Sequence, residues 1–222
     1  MEYTCKDAIE MLADVATVII ATIAVYYAWK TYQIAKEAKD EWKKEKNLDV
    51  LVRFSKVFPS SRECILNLRS PLSFEHEVEE GMIYIKAKGD KISLENSESF
   101  SSYFVVQSRY SNYELKLNEM FDLEHEVLFL LGKDNVITKY IAFIKETKTN
   151  ILHSAQQIGY YNGYLNDRTI GSEERIMFRD KRREHIDILY SVGDDKITNN
   201  LKKAYCECDT FLKSHQAKFK LN

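Results

Sequence analysis

"DVATVIIATIAVYYAW", residues 14–29, decides how the rest of the chain is read. Behind one aspartate run fifteen uncharged, mostly apolar side chains. Taken from Met11 to Trp29, the stretch holds nineteen residues with Asp14 as its single charge. As a helix rising about 1.5 Å per residue it would be roughly 28 Å long, close to the ~30 Å hydrocarbon core of a bilayer. Tyr26, Tyr27 and Trp29 gather at one end, where amphipathic rings favour the headgroup level, and Lys30 follows at once. Further lysines stand at 36, 39, 43, 44 and 46, whereas residues 1–14 carry Glu2, Asp7, Glu10 and Asp14 against Lys6. An excess of lysine marks the cytoplasmic side. The sequence therefore predicts one transmembrane helix, with the N-terminus outside and everything after residue 30 in the cytoplasm.

Two other readings fit the stretch less well. A cleaved signal peptide needs a basic leader and a small-residue cleavage site, but this leader is acidic and the run ends in Tyr-Tyr-Ala-Trp-Lys. A buried core helix is harder to reconcile with the absence of a polar face. Only Thr17 and Thr22 interrupt Val15 to Ala28, and their hydroxyls can bond back to the helix.

Small side chains recur inside the span. Ala13, Thr17, Ala21, Ala24 and Ala28 stand at steps of four, four, three and four, and Thr31, Ala35 and Ala38 continue the line beyond the membrane boundary. Small residues let helices approach closely in lipid, where packing drives association. A repeat of about 3.5 residues keeps such a face on its partner in a left-handed supercoil. This predicts a homo-oligomer held through the span. Asp14 lies one residue off that line, about one turn into the apolar run. An ionisable group at that depth is either functional or placed to reach water near the positive helix end.

The remainder of the 222 residues reads as helix. Seven Gly and two Pro are too few for a many-stranded sandwich or barrel, and the 30% charged residues interleave with apolar ones. Residues 1–29 form the N-terminus and span, 30–57 a Lys/Glu-rich helical stalk, and 58–222 a cytosolic antiparallel bundle. Leu48, Val50, Leu51, Phe54 and Val57 mark entry into that packed domain. Pro59-Ser60-Ser61 is expected to end the stalk helix, with a serine capping a short helix to Leu68. Helices are also expected from about Leu72, from Glu95 to Gly132 (one long or two shorter), from Asp134 to Leu165, from Ser172 to Leu189, and from Asp194 or Asp195 onward. The overall class is all-α.

Chemistry-bearing motifs are sparse. No Gly-rich phosphate loop, Ser-His-Asp order, HExxH or zinc spacing occurs, and no cofactor is implied. The formal net charge of −2 gives no global pull toward nucleic acid. Cys5, Cys64, Cys206 and Cys208 read as reduced thiols, because Cys206-Glu-Cys208 is too tight for an unstrained bridge. "EHEV" occurs at Glu75–Val78 and Glu124–Val127, but adjacent helical residues cannot converge on one metal. Tyr160, Tyr161 and Tyr164 offer either a stacking platform or a bundle core with wet tips.

"RDKRREH", Arg179 to His185, resembles the Arg-to-His signature of the HEPN ribonucleases, which are helical bundles that pair two such motifs across a dimer. That resemblance implies His185 in proton transfer and Arg179 on the phosphorane charge. Arg175, Lys181, Arg182 and Arg183 would then hold a phosphate backbone. The competing reading is a basic solvated face with Ile176, Phe178, Ile186 and Leu189 turned inward.

The layout of residues 11–57 resembles bacterial single-span membrane proteins with a cytosolic helical domain, some of them antiphage-defence effectors. It implies a non-enzymatic protein of the inner membrane, self-associating through the span and binding a cytosolic protein partner through the bundle. A membrane-tethered HEPN-like ribonuclease and a passive scaffold are the alternatives, and nucleic acid is the less favoured partner.

Overall fold

In the computed structural model the described backbone covers residues 5–89, 98–190 and 195–220, with side chains from residues 10–89, 98–190 and 195–215. Seven α-helices and no strand occur among these residues. They are α1 (Cys5–Leu68), α2 (Glu75–Ala87), α3 (Ser101–Ser111), α4 (Glu114–Leu131), α5 (Val136–Asn166), α6 (Ser172–Leu189) and α7 (Lys196–Lys220). "MIYIKAK", whose alternation would suit a strand, forms the end of α2 and its C-cap Lys88, since a strand with no partner has nothing to bond. The chain divides into two units, Met1–Asp49 and Val50–Asn222.

The second unit is organised on α5. Ile137, Tyr140, Ile141, Ile144, Ile151, Ala155 and Ile158 recur at three- and four-residue steps, and all are buried. Burying each isoleucine contributes about 1.5–3 kcal/mol before the cost of ordering the chain. Helices α3, α4, α6 and α7 all pack on α5, and α2 packs on α3. Local chemistry sets the ends. Asn135 caps α5 by accepting from the Ile137 N–H at 2.9 Å. Asp195 does the same for α7 through the Thr198 N–H at 2.9 Å, so the cap is the second of the two aspartates considered; Asp194 lies outside the described residues. Gly132, at φ 85°, closes α4 in a conformation other residues rarely adopt.

The stalk helix does not stop at Pro59. Proline removes the N–H that the Ser55 carbonyl would accept, yet α1 continues to Leu68. Pro59 itself is exposed, while its neighbours are held by the core. Phe58 stacks on Tyr205 at 4.3 Å and meets Tyr140 edge-on at 5.0 Å. Ser61 caps nothing. Its hydroxyl donates to the Phe58 carbonyl at 2.6 Å, leaving the Tyr140 O–H to donate to Ser61 at 2.8 Å. Tertiary packing here outweighs a local breaker.

Two buried arginines fasten the connections. Arg69, 1% exposed, donates to the Asp187, Ile188 and Tyr190 carbonyls at the end of α6. It also donates to the Asp195 carboxylate at 2.8 Å and to the Thr198 hydroxyl at 3.0 Å. Arg109 ties α3 to the α1–α2 connection through Glu77 and the carbonyls of Asn67, Ser70 and Leu72. Glycine allows the closest approach of backbones, because a Cβ on Gly81 would fall 1.9 Å from the Phe104 carbonyl oxygen.

Candidate functional site

From Glu10 to Asp49 the first unit is α1 alone. Among the described residues this is the one helix long and apolar enough to cross a membrane, and none of its most apolar window is buried. Ile20 is 67% exposed and Val25 69%. Its threonine hydroxyls bond back to the helix. Thr17 donates to the Ala13 carbonyl, Thr22 to Val18 and Thr31 to Tyr27, each at 2.8 Å. Tyr26 and Tyr27 meet edge to face at 5.7 Å, beside exposed Trp29 and Lys30.

At about 100° per residue, Ala13, Thr17, Ala21, Ala24 and Ala28 share an arc of roughly 80°. Seven-residue steps sharpen the register. Asp14, Ala21, Ala28 and Ala35 form one column, and Thr17, Ala24, Thr31 and Ala38 the other. On the same wheel Asp14 falls just outside that arc, one residue off the line, and the column of Ala13 continues to Ile20.

The pair Arg179 and His185 is not brought together. Six helical steps separate them by about 120° around α6. Arg179 is exposed, while His185 turns toward α5. There His185 Nδ1 lies 3.2 Å from the Ser154 hydroxyl, its ring stacks on Tyr161 at 5.8 Å, and His153 meets it edge-on at 6.0 Å. Burial, reinforced by His153, holds the imidazole below its ordinary value. A serine beside a histidine suggests a nucleophile and base. Ser154, however, is buried, and no described cavity is lined by either residue.

The proposed phosphate grip is also dispersed. Arg175 spends its guanidinium on the Leu165, Asp167 and Ile170 carbonyls, and Arg182 is half-buried. That leaves Arg179, Lys181 and Arg183 exposed among Asp180, Glu184 and Asp187. Of the apolar residues expected to turn inward, Leu189 is buried and Phe178 and Ile186 half-buried, but Ile176 is 59% exposed.

Other motifs resolve into structure. In the first "EHEV", Glu77 pairs with Arg109; in the second, Glu124 pairs with Lys145 and Glu126 with Arg53. No group of three metal-ligating side chains occurs among the described residues. Cys206 is exposed and Cys208 buried, so they face different surroundings. Burial pushes the Cys64 and Cys208 thiols up to about 12, which makes them inert packing groups. Tyr160 packs edge-on against Phe100, and Tyr161 and Tyr164 lie against Phe178.

Sequence reasoning missed the clamps of Arg69 and Arg109, whose partners lie between 32 and 129 positions away. It also passed over Trp42, which stands one heptad beyond Ala35 and was visible in the repeat. No family model, no curated protein and no solved structure matches this chain.

Proposed function

We propose that this chain is a non-enzymatic anchor of the bacterial inner membrane, self-associating through the small-residue face of α1 and binding a cytosolic partner through the 50–222 bundle. One observation carries the reading: among the described residues, none of the most apolar window of α1 is buried. An apolar surface of that extent in water drives association or lipid insertion. Its length of roughly 28 Å suits a bilayer, and every backbone group within a helix is already bonded. The lysines after Trp29 support a cytoplasmic position for the bundle. The defence effectors that the layout resembles make clustering of this helix the natural output, with the bundle as the input.

The test is fractionation of the full chain expressed in bacteria. Alkaline carbonate should leave it in the membrane pellet, and Ile20→Asp with Ile23→Asp should move it to the supernatant. Wild-type protein found soluble and monodisperse without detergent would overturn the anchor. Replacing Ala21 and Ala28 with Ile should abolish cross-linked oligomers while leaving the protein in the pellet. Unchanged cross-linking would remove the self-association.

A further inference from the structure

Beyond Trp29 the exposed surface of α1 does not become uniformly polar. Tyr32 is 64% exposed, Ile34 58% and Trp42 50%, all within the charged run. Trp42 stands thirteen residues after Trp29, about 20 Å along the helix, too far for headgroups at the level of Trp29 to cover it. It also falls in phase, since Ala28, Ala35 and Trp42 occupy one seven-residue column and Thr31 and Ala38 the other.

Written as a heptad with Ala35 and Trp42 at a and Ala38 at d, the flanking positions acquire meaning. Glu41 takes g, and Lys39 and Lys46 take e. In a parallel pair, a g residue meets the e residue of the following heptad on the other helix. Glu41 thus meets Lys46 of the second copy; one heptad earlier Ile34 lies along the aliphatic stem of Lys39, and two heptads earlier Tyr27 meets Tyr32. An antiparallel pair would set e against e, lysine facing lysine. The parallel arrangement is also the one that a shared membrane orientation imposes.

We infer that residues 31–46 are the docking surface for a second copy of this chain, forming a short parallel two-stranded coil with Ala35, Ala38 and Trp42 at its core and Glu41 paired with Lys46 of the second copy. The inference rests on the membrane-anchored, self-associating reading. Alanines at 35 and 38 allow the helix axes to approach at the near end of the usual 8–10 Å range. Trp42 is too wide for that spacing and wedges the pair apart. Glu45 and Asp49 then place charge in both columns, which ends the coil. So short a coil is marginal by itself, and tethering by the span supplies effective concentration.

The experiment uses the full chain in liposomes, with Cys5 and Cys206 replaced by Ser and single reporter cysteines oxidised in place. Ala35→Cys and Ala38→Cys should give disulfide-linked dimer about ten-fold above Lys44→Cys, which lies on the outer face. In the Ala38→Cys background, Glu41→Lys and Lys46→Glu should each lower the dimer yield several-fold, and the double reversal should restore it. Recovery by the double reversal supports the register; failure to recover overturns it. Ala24→Cys separates the two levels. Linkage there without linkage at 35 or 38 overturns the coil and leaves the span pairing intact. Linkage at none of the three overturns both.

Discussion

Helix α1 offers two halves of one continuous helix with opposite fates. Ile20 and Val25 are more than two-thirds exposed, whereas Phe54, Ile65 and Val50 are fully buried. The side chains are similarly apolar. In the second half the apolar positions recur at helical steps and α5 and α7 supply the other surface. In the first, apolar residues surround the helix and none of the described residues covers them. Hydrophobicity alone does not say where a side chain goes; periodicity says whether one face or all faces need covering.

The largest test of that contrast truncates one residue on each side. Phe54→Ala should destabilise the bundle by about 3–5 kcal/mol, while Ile20→Ala leaves bundle unfolding unchanged within about 0.5 kcal/mol. Denaturant titration followed by far-UV circular dichroism in detergent measures both. Trp29 and Trp42 are the two tryptophans, both in the first unit, so their emission would not report bundle unfolding. Equal effects at the two positions would dissolve the distinction.

Arg69→Ala should come next, at about 3 kcal/mol, because it removes the guanidinium that pairs with the Asp195 carboxylate and donates to three carbonyls. A midpoint within error of wild type would mean that the clamp is dispensable. Gly81→Ala should cost about 1–3 kcal/mol by forcing α2 off α3, the reverse of the usual helix preference for alanine. Any gain in stability would show that the close approach relaxes freely.

The smallest expected effect is pH dependence. Burial pushes the Asp195 carboxyl upward, but the Arg69 guanidinium and the Thr198 N–H and hydroxyl outweigh it and hold the group well below the usual range. Glu77 is lowered in the same sense, the Arg109 bond and the Phe74 N–H overcoming its burial. A carboxyl depressed in the folded state contributes stability that is full above its unfolded value of about 4 and is lost as pH falls toward the folded value. Bundle stability should therefore decline from about pH 4 downward, with a shallower decline in Arg69→Ala. An identical acid profile in wild type and variant would detach the dependence from this pair.

Much of the bundle was legible because its signals are local. Gly132 ends α4 and α6 spans Ser172–Leu189 as the pattern predicts, while the cap of α5 is Asn135, one position after the expected Asp134. The misreadings share a cause. Pro59 reads as a stop, but Phe58 and Ser61 are held by residues about 80 to 150 positions away, and the helix runs through it. Ile176 reads as inward on a helical wheel, yet α5 covers only part of that face.

The sequence by itself determined the helical class, the apolar stretch of α1 and the seven-residue columns running from Ala21 to Trp42. These are properties of spacing along one helix and need no partner to be read. Only the tertiary structure decided that Arg69 and Arg109 become buried clamps, that Pro59 is carried through, and that His185 packs against Ser154 and Tyr161 of α5. Each of those outcomes depends on which distant surface closes over a residue, and no local spacing encodes that.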